Sequence, residues 1–124
     1  MIIGIGCDIV EHDTTKKLKW DSKLSSQKRV FSLKEIEIYQ TKRKIEFLSG
    51  RFAAKEAVLK CLGTGMQDGL ALTDIHVLQL ESGAPMIELC GQVKAIADTL
   101  GIIFWHISIT HSATYSIAYV VAEK

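Results

Sequence analysis

Two carboxylates and a lysine carry the clearest chemical potential in this sequence. Asp8 follows Gly4 and Gly6 in an alternating apolar stretch, and Glu56 precedes Lys60 by four residues. Residues four apart share one face of a helix, so Glu56 and Lys60 are predicted to be neighbours. Mg²⁺ is usually held by one or two carboxylates together with water and substrate phosphates. The set therefore fits a metal and phosphate site, although each residue taken singly fits a structural role better.

Further cations and hydroxyls could contact a phosphate group. Arg51, Lys55 and the turn Thr110-His111-Ser112 are the candidates. The common alternatives lack their motifs: there is no His-Glu-x-x-His, no Cys spacing for zinc and no Gly-x-Ser-x-Gly. Gly63-Thr64-Gly65 lacks the Gly-Lys-Ser/Thr ending of a nucleotide P-loop, so on spacing alone it predicts a helix end.

The element that must position these groups is a long helix from about Ile45 to the glycines at 63 and 65. Its apolar residues leave no clear polar face, which is typical of a helix surrounded by protein. Arg51 and Lys55 lie four apart on it and repel each other. Because buried charges need partners, we expect an anion near these cations and a cation near Glu56.

The remaining pattern predicts an α+β fold in one domain spanning residues 1–124. Ser32 and Glu35 have capping-box spacing before a short helix. Alternation or turn signals predict the strands, and an apolar stripe predicts a small helix over 93–100. The predicted strands are Ile2–Val10, Asp74–Leu80, Met86–Cys90, Ile102–His111 and Ser116–Ala122.

Charge is distributed unevenly along the chain. Residues 14–60 hold thirteen of the fifteen Lys and Arg but only five acidic residues. Such a segment attracts nucleic acid, phosphates or an acidic protein, or is simply a solvated surface, and charge alone does not decide between these. No apolar run is long enough to span a membrane, and the three separated cysteines indicate reduced, mostly buried thiols of a cytoplasmic protein.

Three motifs in order resemble the holo-acyl-carrier-protein synthase family of small 4′-phosphopantetheinyl transferases. They are Gly4-Ile-Gly-Cys-Asp8-Ile-Val-Glu11, then Phe47-Leu-Ser-Gly-Arg-Phe-Ala-Ala-Lys-Glu-Ala57 with Lys60 and Gly63-Thr-Gly65, then Ser108-Ile-Thr-His111-Ser112. Their order, their separations and the chain length match the family over essentially the whole sequence.

The resemblance implies a 4′-phosphopantetheinyl transferase-like fold, with a long central helix against an antiparallel sheet. It implies transfer of 4′-phosphopantetheine from coenzyme A to a serine of apo acyl carrier protein, with release of adenosine 3′,5′-bisphosphate. Asp8 and Glu56 would hold Mg²⁺, and Lys60 would assist at the phosphates, so that Glu56, Asp8 and Lys60 form the catalytic set. General acid–base chemistry makes Glu56 a candidate acceptor of the serine proton through a metal-bound water, although the sequence does not order the roles of Asp8, Glu56 and water in that step. The coenzyme A contacts would come from Arg51, Lys60, Gly63, Gly65, Ser108, Thr110, His111 and Ser112.

The partners implied are coenzyme A, an acidic acyl carrier protein docked on residues 14–44, and two further copies of the chain in a trimer with sites between subunits. Nucleic-acid and membrane partners are not expected, and a catalytically inactive relative that binds coenzyme A or carrier protein is the alternative. The chain departs from the family pattern at His12-Asp13-Thr14-Thr15, where an apolar residue and then an arginine are usual. Carrier docking is therefore expected to shift to Lys16, Lys17, Lys19 or Lys23.

Overall fold

The longest helix lies against a three-stranded antiparallel sheet, in a computed structural model that describes residues 1–65 and 69–124. The elements agree with the predicted α+β class. In chain order they are β1 (Ile2–Glu11), α1 (His12–Lys17), α2 (Leu24–Gln27), α3 (Leu33–Lys42), α4 (Ile45–Leu62), a 3₁₀ turn (Leu72–Asp74), β2 (Ile75–Gln79), β3 (Pro85–Leu89), α5 (Gly91–Thr99), β4 (Phe104–His111) and β5 (Tyr115–Glu123).

The main sheet has the order β1-β5-β4, and β2 and β3 form the separate hairpin that the sequence predicts. β5 is central and presents small residues to α4: Ala118, Val120 and Ala122 are fully buried. Small side chains on the strand let the helix approach closely, and Ala53 and Ala57 complete this contact from α4.

Two glycines set the distance between β1 and α4. A methyl group on Gly4 would overlap the carbonyl oxygen of Cys61, and one on Gly6 would overlap that of Ala57. The glycine face of β1 therefore packs directly on the helix backbone, a close approach that glycine in a strand permits. This contact fixes where Asp8 lies relative to α4.

The opposite face of the sheet is open and apolar. Ile5, Ile9, Phe104 and Tyr119 are each more than half exposed there. Cys7 lies on the same face and is exposed, and so is Cys90 near α5, whereas Cys61 is buried. The prediction of mostly buried thiols is therefore wrong for two of three cysteines, because no described residue covers the surfaces that hold Cys7 and Cys90.

A second core lies on the other side of α4. Trp20, Phe31, Ile36 and Tyr39 pack there against Phe47 and Leu48 of the helix. With protein on both sides, α4 buries thirteen of its eighteen residues, which confirms the prediction of a surrounded helix. Gly63 ends it in the left-handed conformation, with φ of 74°.

Candidate active site

Asp8, Glu56 and Lys60 come together where β1 passes α4. The Lys60 Nζ donates a hydrogen bond to the carbonyl oxygen of Cys7 at 2.8 Å and lies 3.3 Å from the Asp8 Oδ1. Glu56 is half-buried on the same side of the helix, one turn before Lys60. The predicted cation beside Glu56 is thus Lys60, which contacts Asp8 directly and acts on Glu56 through its charge.

The electrostatics of this cluster favour a further cation. Burial raises the pKa of Glu56, and the neighbouring Asp8 carboxylate raises it further, while Lys60 lowers it. Two carboxylates that repel each other and supply only hard oxygen ligands match the chemistry of Mg²⁺. Within residues 1–65 and 69–124, no three His, Cys, Asp or Glu side chains group closely enough to hold a metal. The pair would therefore need substrate oxygens to complete the coordination.

Arg51 lies on the opposite flank of α4, about 140° around the helix from Glu56. It is 6% exposed, and its Nε and Nη2 find no hydrogen-bond partner among the described residues. Its guanidinium carbon stacks 3.9 Å from the centre of the Phe47 ring. Burial lowers the pKa of Arg51 to about 10, against a smaller opposing effect of Glu35. A buried guanidinium with free donors is a strong sign of an absent anion.

His111 lies beside Arg51 at the end of β4. A methyl group on Gly50 would come within 2.9 Å of its Cε1, so the glycine leaves room for the ring. His111 and Arg51 line an open cleft of about 610 Å³, within the size range of small-molecule sites. The other lining residues are Thr41, Lys42, Lys44, Glu46, Phe47 and Gln79. Lys42 and Lys44 make this cleft basic, a feature that the motif spacing did not reveal.

The other predicted phosphate contacts are dispersed. Ser108 and Thr110 lie on the open face of the sheet, beside Tyr119 and Ile117, and not with Asp8 and Glu56. Ser112 accepts hydrogen bonds from the Thr114 and Tyr115 amides in the β4–β5 turn. Gly63 and Gly65 both have positive φ just beyond α4, one turn past Lys60.

Lys55 is not a phosphate contact, and that part of the prediction is wrong. Its side chain is fully buried, 2.6 Å from Glu35, and also donates to the carbonyl oxygens of Val30, Leu72 and Ile75. Glu35 in turn completes the capping box at Ser32 and accepts from the Val77 amide. The anion expected near Lys55 is therefore Glu35. Through this ion pair and its hydrogen bond to Ile75, Lys55 connects α4 to α3 and β2.

Comparison with known proteins agrees with this arrangement. The family model of the 4′-phosphopantetheinyl transferase superfamily matches residues 4–120. A holo-[acyl-carrier-protein] synthase of Hydrogenovibrio crunogenus is 41% identical over 100% of this chain and 98% of its own. One from Maridesulfovibrio salexigens is 37% identical over the whole of both chains.

Solved structures show the same fold. The holo-[acyl-carrier-protein] synthase of Neisseria meningitidis superposes with a TM-score of 0.90 at 29% identity, covering all of both chains. That of Helicobacter pylori, solved in complex with coenzyme A, gives 0.83 at 33% identity, covering 96% of this chain and 99% of its own. The chain therefore belongs to the holo-acyl-carrier-protein synthase family within the 4′-phosphopantetheinyl transferase superfamily.

Proposed function

We propose that this protein transfers 4′-phosphopantetheine from coenzyme A to a serine of apo acyl carrier protein, releasing adenosine 3′,5′-bisphosphate, in a reaction that requires Mg²⁺. The observation that carries the proposal is the juxtaposition of Asp8, Glu56 and Lys60, because Lys60 reaches the Asp8 carboxylate at 3.3 Å. The serine oxygen forms a bond to the pantetheine-side phosphorus, and the bond from that phosphorus to the bridging pyrophosphate oxygen breaks.

Asp8 and Glu56 would hold the metal, which when bound would neutralise negative charge on the pyrophosphate. Lys60 is half exposed, so its ammonium group can reach the same phosphates and stabilise charge on the leaving group. Glu56 accepts the proton of the attacking serine. In the free protein, burial and the Asp8 carboxylate raise the pKa of Glu56.

The cleft around Arg51 provides a second phosphate site. Coenzyme A carries a 3′-phosphate in addition to its pyrophosphate, and it thus needs cations in two places. Arg51, Lys42 and Lys44 supply them, with His111 beside them. A phosphate in this cleft would give the unpaired Nε and Nη2 of Arg51 the partners they lack.

The two phosphate sites lie on opposite flanks of α4, which points to a site shared between subunits. Asp8 is on edge strand β1 and His111 on edge strand β4, with the helix packed between them. We infer a trimer in which Asp8, Glu56 and Lys60 of one subunit face Arg51 and His111 of a neighbour. The exposed apolar face of the sheet, which includes Ile5, Ile9, Phe104 and Tyr119, supplies the surface that such an assembly would bury. Ser108 and Thr110 lie on that face as well and reach the nucleotide only across the interface.

Carrier protein docks on the basic surface that follows β1. Lys16 and Lys17 end α1, which begins directly after the strand that carries Asp8. Exposed leucines at positions 18, 24 and 33 lie among the lysines and add apolar contacts. An acidic partner would be attracted and oriented by this charge. No helix in the described residues is both long and apolar enough to cross a bilayer.

Intact-mass spectrometry tests the activity. Protein incubated with Mg²⁺, coenzyme A and an apo carrier should add one phosphopantetheine per carrier. Glu56→Gln should abolish the transfer and leave the fold unchanged, whereas Glu81→Gln, an exposed glutamate in the hairpin loop, should be fully active. Binding of coenzyme A without transfer to any carrier of a panel would instead support the inactive relative.

Mixed trimers test the shared site. Glu56→Gln and Arg51→Ala should each be nearly inactive alone. If sites lie between subunits, random reassembly of the two variants leaves about a quarter of the sites with both residues intact, so activity returns. Mixtures that stay as inactive as the separate variants would place the whole site within one chain.

A further inference from the structure

Three polar side chains form a chain of hydrogen bonds below the β4–β5 turn. Ser116 is fully buried, and its Oγ lies 2.8 Å from the Nε2 of His12 and 2.8 Å from the Nδ1 of His111. His12 is 5% exposed, and its Nδ1 lies 3.2 Å from the carbonyl oxygen of Ala113. None of the reaction steps above uses His12 or Ser116.

Counting hydrogens assigns the tautomers. The carbonyl oxygen of Ala113 can only accept, so the His12 Nδ1 carries a hydrogen. A neutral His12 then has a bare Nε2, which accepts the single hydrogen of the Ser116 hydroxyl. The serine oxygen has only lone pairs left, so the Nδ1 of His111 must donate to it.

The other assignment is unfavourable. A doubly protonated His12 would bury an imidazolium whose two N–H groups meet only a hydroxyl and a carbonyl oxygen. Neither partner carries the negative charge that a buried cation needs. The neutral arrangement satisfies all four polar groups without that cost.

The nitrogen of His111 left outside this chain is Nε2, on a ring that lines the basic cleft. We propose that His12 is a positioning residue: through Ser116 it holds His111 as the Nδ1–H tautomer, so that the Nε2 of His111 takes a proton from solvent when a phosphate group enters the cleft. The protonated Nε2–H then donates to the phosphate. The proton uptake rests on the proposed function, since it needs a phosphate-bearing ligand there, whereas the tautomer belongs to the free protein.

The surroundings of His111 favour the neutral ring until an anion arrives. Burial lowers the pKa of His111, the Glu46 carboxylate opposes this effect, and the Arg51 guanidinium lowers the pKa further. A phosphate group reverses the balance, because its negative charge favours the imidazolium. The charged and titratable groups that face His111 are Glu46 and Arg51 from α4, His12 from α1, and Lys42 and Lys44 from the end of α3 and the link to α4.

The tautomer can be read directly from imidazole ¹⁵N NMR of the full-length protein. Wild type should show His111 protonated at Nδ1, the less common form in water. Ser116→Ala and His12→Phe should return it to the Nε2–H form, whereas His12→Gln, whose amide oxygen can accept from Ser116, should keep Nδ1–H. His76→Gln is the matched histidine control outside the chain. An Nε2–H signal for His111 in wild type, or no change in Ser116→Ala, would overturn the positioning role.

Calorimetry with adenosine 3′,5′-bisphosphate in buffers of different ionisation enthalpy measures the proton. Wild type should take up a proton on binding near pH 7. Ser116→Ala should bind the bisphosphate about tenfold more weakly at pH 6 and should no longer take up a proton on binding. The reason is that the charged His111 ring loses the Ser116 oxygen that accepts the hydrogen bond from its Nδ1. Binding without proton uptake in wild type would refute the proton step. No binding at all would refute the proposed function and the uptake together, while the NMR result would still decide the positioning role.

Discussion

Replacing Lys55 by Met should be among the most destabilising single changes in this protein. The methionine keeps most of the side-chain volume and removes the ammonium group. Glu35 then remains as a fully buried carboxylate, although the Ser32 and Val77 amides still donate to it. The carbonyl oxygens of Val30, Leu72 and Ile75 also lose the hydrogen bonds that they receive from Lys55.

The structure sets the size of the effect. Removing one partner of a buried ion pair costs about 3–5 kcal/mol, because the remaining charge is left in the interior. For a chain of 124 residues this corresponds to a fall in melting temperature of roughly 10–20 °C. Glu35→Gln should cost a similar amount, and the double variant should cost clearly less than the sum, since neither charge remains unpaired.

Urea denaturation followed by circular dichroism, at one fixed protein concentration, measures these free energies of unfolding. Lys34→Met is the matched control, because it breaks the Lys34–Glu88 pair, whose side chains are about half exposed. An exposed pair contributes about 1 kcal/mol at most. If Lys55→Met were no more destabilising than Lys34→Met, the interpretation of Lys55 and Glu35 as a stabilising buried ion pair would be wrong.

Three further outcomes are expected. Gly6→Ala should lower the free energy of unfolding by about 2–3 kcal/mol in urea denaturation, because the added methyl group overlaps the Ala57 carbonyl. The overlap should also push Asp8 away from α4 and remove most of the transfer activity. A fully active, stable variant would contradict that packing. Because burial lowers the folded-state pKa of His111, the unfolded chain binds a proton more readily, so folding stability should fall as pH drops below about 6.5. In denaturation measured at a series of pH values, His111→Gln should reduce this loss of stability at low pH. An unchanged dependence of stability on pH would contradict the role of His111. Tyr119→Asp should give monomers by light scattering, and a persistent trimer would exclude the open face as the interface.

The local elements could be predicted because their signals are local. The capping box at Ser32 and Glu35 is present with both of its hydrogen bonds, and the long helix runs from Ile45 as predicted. Alternation also predicted the strand β4, in which the structure places Ile109 and His111 beside Gly50 of α4. Each of these features depends on residues a few positions apart, which one sequence displays directly.

The contrasting fates of Arg51 and Lys55 could not be predicted in the same way. Both are cations on neighbouring turns of α4, and the sequence offers no rule that separates them. Lys55 pairs with Glu35 because α3 and the 3₁₀ turn close over it, which brings together residues far apart along the chain. Arg51 points into the open cleft, and no described acidic residue reaches it. Tertiary packing assigns one cation to the core and leaves the other available to a ligand.

The position of α4 explains both the divided site and the uncovered sheet. The helix must pack on the glycine face of β1 to bring Glu56 to Asp8, and this same packing separates them from Arg51 and His111 on its other flank. It also leaves one face of the three-stranded sheet uncovered by any element of residues 1–65 and 69–124. Association of identical subunits through that face would bury the apolar strands. It can also bring Asp8 and Glu56 of one subunit to the cationic cleft of its neighbour. The divided site and the uncovered sheet face therefore argue for one and the same assembly. The mixed trimers test the shared site, and Tyr119→Asp independently tests the interface.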